Sequence, residues 1–349
     1  MDKLLSIIVP TYNMEALLRQ DLQSLIVEDA MPLLEVVVIN DGSKDSSLTI
    51  AREFEDKYAS TFKIIDKPNG NYGSCINAAL KVVSGKYVRI MDADDSFDTE
   101  VFASFLKELE QIDVDIIFND YAKEWTSGRR EVYSFDIPQH QILLLEDVID
   151  NKAFQCIQLP SLTYRRNIFR ALDYHQTEGI SYTDMEWCFS PVSQVKTVYY
   201  IPGVLYKYLM GREGQTMNPE AVRRGMSHKA LSLTNMVRSS LKIRHDETID
   251  KYFTGQLVRH LEDIYRLYLV DYPHDDRAAL KTLDSELKKY DPEAYRLSGE
   301  IPYRLHLKYR HISDWRRRNY VRIPLSVRMK ECILDILGKL HVKLCNIEQ

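Results

Sequence analysis

Cysteine is scarce in this chain. Cys75, Cys156, Cys188, Cys332 and Cys345 are five in 349 residues, an odd number and widely scattered. They suit no disulfide framework, and no CxxC pair points to structural zinc, so a reducing, cytoplasmic setting is expected. Long apolar runs are missing too: none approaches the ~20 residues that a membrane-spanning helix needs. The opening stretch, Met1 to Pro10, has one lysine and an apolar run too short for a signal-peptide core, and it reads as a first buried strand. Internal repeats and low-complexity tracts are absent. Neither GxGxxG nor GxxxxGK[ST] occurs, and Gly85-Lys86 lacks the earlier glycine and the following hydroxyl residue of a P-loop.

What is present is an ordinary globular composition, 45% hydrophobic and 28% charged, which excludes wholesale disorder. The net charge of −5 is unevenly spread: residues 296–330 carry ten Lys/Arg against two Asp/Glu. A basic segment on an otherwise acidic chain implies an anionic surface as partner. It belongs to no recognisable nucleic-acid module, so nucleic acid is not expected.

Over the first 120 residues, apolar runs of strand length (5–9, 35–39, 62–65, 87–91, 114–118) alternate with stretches of helical spacing (14–27, 46–58, 74–83). Such alternation predicts an α/β fold, a Rossmann-type, mostly parallel sheet flanked by helices. From 121 to 209 shorter strand-like pieces (130–135, 195–201, 204–208) extend the sheet. From 219 onward the chain reads as a helical C-terminal region, with helices over 221–243, 247–270 and 277–289.

Four successive strand ends carry polar residues suited to a ligand. The first is Val9-Pro10-Thr11-Tyr12-Asn13 and the second Ile39-Asn40-Asp41-Gly42-Ser43-Lys44-Asp45-Ser46. Each can be simple turn and capping chemistry, but neither turn requires a carboxylate, Asp41, facing the same crevice as Tyr12. The third strand leads to Asn69-Gly70-Asn71-Tyr72-Gly73-Ser74 and a helix containing Asn77, where glycines allow backbone N–H groups to approach an anion. The fourth ends in Asp92-Ala93-Asp94-Asp95. Three carboxylates so close repel one another unless a cation joins them, and a hard divalent ion is the natural partner. The alternative is a solvated turn with Asp95 or Ser96 capping the next helix.

Together, VPTYN, INDGSKDSS, NGNYGSCINA and GKYVRIMDADD resemble the opening motifs of the family 2 glycosyltransferases of the GT-A fold. The resemblance implies a nucleotide-sugar donor, expected to be UDP-linked, and Mg²⁺ or Mn²⁺ as cofactor. Pro10, Tyr12 and Asp41 would hold the nucleobase, with Asn13, Asn69, Gly70 and Asn77 also on the donor side. Asp92 would meet the ribose, Asp94 would bind the metal, and Asp95 would support the loop. Residues 1–120 would then form the nucleotide-sugar half, 121–218 the acceptor and catalytic half, and 219–349 the helical region.

Family members carry a Glu-Asp pair whose aspartate is the general base; this chain has Thr183-Asp184 at that place, which makes Asp184 the expected base. Thr183-x-x-Glu186 also reads as a capping box, which would occupy Glu186 and leave Asp184 free. Arg212 reads either as a clamp on the diphosphate or as an exposed loop arginine. The Gln-x-x-Arg-Trp element of processive synthases is absent, so addition of a single sugar to a glycan or lipid-linked acceptor is expected. Rival readings are a sugar nucleotidyltransferase, opposed by Pro10-Thr11-Tyr12-Asn13 where a Gly-rich loop belongs, and an inactive scaffold, opposed by the intact acids. Apolar residues at helical spacing after Leu325, beside the basic segment, fit either a helix packed on the protein or peripheral membrane contact through 296–349. Self-association into a homo-oligomer is left open.

Overall fold

The computed structural model describes residues 3–151, 154, 157–212, 214–216, 218–244, 246–304, 308–330 and 333–334. The chain divides into two compact units, Met1–Gln256 and Leu257–Gln349. The first holds a sheet of ten strands: β1 (Leu5–Thr11), β2 (Leu34–Asn40), β3 (Phe62–Asp66), β4 (Tyr87–Ile90), β5 (Ser96–Phe97), β6 (Ile116–Trp125), β7 (Arg130–Tyr133), β8 (Leu143–Leu144), β9 (Leu162–Arg165) and β10 (Thr197–Met210). Their order is β3-β2-β1-β4-β9-β6-β10-β5, with β7 on β6 and β8 on β10.

The four strands β3, β2, β1 and β4 are parallel. Helices Leu18–Gln23, Ser47–Lys57 and Asn71–Leu80 connect them in turn. Every residue of β2 is buried, as expected of a strand covered on both faces. Because these strands point the same way, their carboxyl ends open on one edge of the sheet, where such folds receive ligands.

The sequence pattern missed β9, which runs antiparallel between β4 and β6 (Tyr87 opposite Arg165, Ile116 opposite Tyr164). The stretches 195–201 and 204–208, read as two strands, merge from Thr197 onward into the single strand β10. Its pairing with β6 shifts at Ile201/Val204, where Gly203 adopts φ 118° and donates its N–H to Asp120 Oδ2 at 2.8 Å. Glycine tolerates that backbone angle, so the strand kinks instead of ending. The helix after β4 is Thr99–Leu109, and its cap is neither Asp95 nor Ser96: Asp98 accepts Val101 N–H at 3.2 Å. That frees Asp95 for another use.

Helices Pro219–Arg224 and Met226–Ile243 belong to the first unit. In the second, helices Ala278–Tyr290, Pro292–Glu300 and His311–Arg318 pack around Arg316. Its guanidinium donates to Asp284, Tyr295 O, Tyr265 OH and Ser298 Oγ, and lies 3.6 Å from the Tyr295 ring centroid. Arg316 is thus an internal brace and not part of a basic outer face, while Arg317 and Arg318 both pair with Asp314. Leu325, Met329 and Ile333 are exposed. The further apolar positions expected along this segment, Cys332, Ile336, Leu337, Leu340 and Leu344, lie outside the described residues. Among the described residues, no helix is long and apolar enough to cross a membrane.

Candidate active site

The register places Thr11 beside Asn40 and Ile8 beside Ile90, so the segments leaving β1, β2 and β4 emerge side by side. Pro10 lies within β1 opposite Ile39. Tyr12 follows with its ring 47% exposed. Asn13, in the left-handed region at φ 53°, donates its N–H to Ser43 Oγ at 3.0 Å and accepts Lys44 N–H at 2.8 Å. It ties the first two strand-end loops together.

Asp41 is buried and already held: its Oδ1 accepts the Lys67 ammonium and the Gly70 N–H (2.9 Å), while Asn69 Nδ2 donates to its backbone oxygen at 3.0 Å. The Asp41 carboxylate is thus fixed by a lysine that the sequence pattern did not single out. Asn77 faces elsewhere. Its amide donates to Gln176 O and Glu178 Oε1 and accepts Gln176 N–H, anchoring the 175–178 loop.

The three clustered acids take three different roles. Asp92 Oδ1 accepts Tyr72 OH at 2.7 Å, and its N–H donates to Tyr206 OH at 3.1 Å. Burial first, then the charges of Asp94 and Asp184, push its pKa up to about 7. Asp94 Oδ2 accepts both Nε (2.8 Å) and Nη2 of Arg212. Asp95 is buried, its Oδ2 accepting Tyr206 OH (2.6 Å) and its Oδ1 accepting Leu209 N–H (2.8 Å). It braces the acid loop against β10, and burial raises its pKa well above the usual range.

A fourth acid stands behind them. Asp21, on the helix Leu18–Gln23, is 4% exposed and its Oδ2 has no hydrogen-bond partner among the described residues. Burial, reinforced by Asp94 and opposed by Arg212, pushes its pKa from 3.8 to about 8. In the native protein Asp21 keeps its proton over a pH range in which the unfolded chain has lost it. Native stability therefore falls as pH rises from about 4 towards 8. Asp21→Asn removes that dependence. In the metal-free protein we expect denaturant titrations of wild type and variant to diverge by on the order of 3 kcal/mol between pH 4 and 7, in favour of the variant. Parallel curves would show that Asp21 ionises normally.

Asp184 opens the helix Asp184–Phe189. The segment before it is held on several sides. Tyr182 sits in the left-handed region at φ 63°, donates its hydroxyl to Thr216 O at 2.8 Å, and packs so tightly on Gly225 that a Cβ there would lie 2.2 Å from its ring. Strain of this kind in a bulky residue persists only where the surroundings enforce it. The expected capping box is not formed. Thr183 Oγ1 accepts Gln176 Nε2 at 3.1 Å, whereas Glu186 accepts Thr177 N–H and Ser232 OH. Burial and long-range partners outcompete the local cap. Asp184 is left solvent-exposed yet closely surrounded by protein, which raises its pKa; nearby Lys229 opposes the rise. The charge of Asp184 acts on Asp92, Tyr72 and Tyr208, and Tyr208 also feels Asp92, Asp95 and Asp94. The acid cluster and Asp184 therefore lie near enough for their charges to interact.

The loop that leads to Asp184 leans on Gly73, where a Cβ would come 2.0 Å from Thr177 O. Gly73→Ala must push this loop off the Asn71–Leu80 helix. We expect a loss of about 1–3 kcal/mol by denaturant titration. Unchanged stability would mean that the loop yields freely.

Among the described residues, no three His, Cys, Asp or Glu side chains converge into a closed metal cage. A hard ion such as Mg²⁺ does not need one: one or two carboxylates plus water and substrate phosphates suffice. Half-buried Asp94, beside Asp92, fits that requirement.

Residues 6–170 match the model of Glycosyl transferase family 2, and that stretch, just under half of the chain, belongs to the family. The chain is 29% identical to an uncharacterized glycosyltransferase, the MG060 homolog of Mycoplasma pneumoniae, over 61% of this chain and 71% of the relative. It is 30% identical to the uncharacterized glycosyltransferase EpsJ of Bacillus subtilis, over 40% of each. Among solved structures, S. aureus TarS in complex with UDP-GlcNAc aligns over 91% of this chain and 92% of its own, with TM-score 0.55 and 18% identity, a likeness of fold.

Proposed function

We propose that this glycosyltransferase moves a sugar, with inversion, from a UDP-linked donor to a hydroxyl of a growing glycan or lipid-linked acceptor. The observation that carries the proposal is that Asp184 lies near enough to Asp92, just past the carboxyl end of β4, for their charges to interact. Tyr12 offers a ring for the base to lie on, beside the fixed Asp41 carboxylate, and Pro10 and Asn13 hold that loop. Asn69 and Gly70 lock onto Asp41, and Asn77 positions the loop running toward Asp184.

Asp94 would hold Mg²⁺ or Mn²⁺, whose positive charge neutralises the departing diphosphate. Arg212, which balances Asp94 in the free protein, is placed to turn to the diphosphate instead. Asp92, anchored by Tyr72, would meet the ribose. Asp184 takes the proton of the acceptor hydroxyl as that oxygen attacks the anomeric carbon, opposite the leaving group. Its raised pKa makes it a stronger base than an ordinary aspartate. The exposed Leu325, Met329 and Ile333, near Arg322 and Arg328 in sequence, support contact with an anionic membrane at its inner, cytoplasmic face, which suits a lipid-linked acceptor.

The test is a panel of nucleotide-sugars in a thermal-shift assay with Mn²⁺ or EDTA. A ligand that binds only the folded state at about 100 times its Kd adds roughly 2.7 kcal/mol. Stabilisation by UDP-sugars in Mn²⁺ alone supports the proposal. Stabilisation by another nucleotide class would overturn the donor assignment, and none by any donor would overturn the activity.

A further inference from the structure

Beside the 173–177 loop that is bonded to the Asp184 segment, two cavities of about 490 and 480 Å³ adjoin one another and share Asp173, Tyr174 and His175 as a common wall. Five cationic side chains line them: Lys81, Arg166 and Arg170 in one, Arg238 and Lys242 in the other. Only two carboxylates, Asp173 and Glu186, accompany them. Glu186 is already engaged by Thr177 N–H and Ser232 OH, and no ion pair joins Asp173 to a cation of the groove among the described residues. On a chain of net charge −5, this is a local excess of positive charge.

Four of these five cations are not neutralised in the way their neighbours are. Arg165, next in sequence to Arg166, pairs with Asp113 at 2.6 Å and Asp115 at 3.4 Å. Lys81, Arg166, Arg170 and Lys242 have no carboxylate within ion-pair distance among the described residues. Arg166 is held instead by backbone oxygens, Nε to Gly85 O at 2.8 Å and Nη1 to Val83 O at 3.4 Å. Its guanidinium is fixed without losing its charge. Arg238 and Lys242 are one turn apart on the helix Met226–Ile243 and share a face with Asn235, whose amide donates to Thr177 Oγ1 at 3.1 Å.

We infer that this groove is a second anion site, built to hold a phosphate-bearing ligand that spans the two cavities. Arginine forks and lysine ammonium groups recognise phosphate oxygens through charge-assisted hydrogen bonds, and cations on both sides of the shared wall suit a ligand with more than one phosphate. The shared wall is bonded to the catalytic segment: Gln176 Nε2 donates to Thr183 O at 3.0 Å, and Thr177 N–H to Glu186. A ligand in the groove therefore lies one loop away from Asp184. The inference does not depend on the donor site, so its failure leaves the transferase proposal standing.

The experiment is calorimetric titration of the full chain with inorganic tripolyphosphate in EDTA, which removes binding that needs a divalent ion at Asp94. Wild type should bind saturably. The pairs Lys81→Glu with Arg170→Glu, and Arg238→Glu with Lys242→Glu, should each weaken binding by about tenfold or more, with melting temperatures unchanged. Arg317→Glu, in the basic C-terminal segment, is the control and should bind as wild type does. Sedimentation with phosphatidylglycerol vesicles separates the sources. Vesicle binding lost in the same groove pairs assigns a lipid headgroup, and tripolyphosphate binding without vesicle binding assigns a soluble phosphate-bearing chain; either supports the site. Wild-type affinity in both groove pairs, or loss of binding in Arg317→Glu alone, would overturn it.

Discussion

Asp184→Asn is expected to abolish transfer, by about 10²–10⁴-fold, while leaving nucleotide-sugar binding close to wild type. Asparagine keeps the size and polarity of the side chain at the start of the Asp184–Phe189 helix, so the segment held by Tyr182 and Thr183 stays in place. What is removed is the proton acceptor. Initial rates with a matched donor, alongside calorimetric donor titration, separate these effects. Near-normal rates would exclude Asp184 as the base, and lost donor binding would show a structural role. Glu186 is the control for this assignment. Both its oxygens are bonded inside the protein, so Glu186→Gln should act mainly through stability.

Asp94→Ala should remove both activities that Asp184→Asn separates. Transfer is expected to fall by about 10²–10³-fold, the range for losing one electrostatic support of a developing anion. Donor binding in Mn²⁺ should drop to the level seen in EDTA. The variant also frees Arg212 from its carboxylate partner. Any metal-independent affinity for the diphosphate should therefore persist or rise, which distinguishes a lost metal ligand from a collapsed site. Wild-type Mn²⁺ dependence in Asp94→Ala would place the metal on another residue.

Those two residues can be proposed from sequence because their motifs are local. A strand followed at once by Asp92-Ala93-Asp94-Asp95, and a segment 179–187 with an unpaired acid, carry their chemistry in a few consecutive positions. The parallel half of the sheet was legible for the same reason, since β1 to β4 alternate with helices at short range. What sequence could not show is set by distant partners. Tyr206 accepts the N–H of Asp92 and donates to Asp95 from more than 110 positions away. Lys67 joins Asp41, and Asp21 lies behind Asp94, without any local signal. β9 reverses direction between β4 and β6, and four residues are too few to announce a strand. The capping box at Thr183 and Glu186 failed because Gln176, Thr177 and Ser232 bind the same groups.

The most direct measurement is anomalous diffraction from a crystal holding Mn²⁺ and UDP. The expected result is a manganese peak at ligand distance from Asp94, about 2.0–2.6 Å for a hard cation and its oxygens. Arg212 should have moved off Asp94, and the base should lie against Tyr12 beside Asp41. Manganese bound elsewhere, with Asp94 still paired to Arg212 and the nucleotide away from the strand ends, would contradict the site.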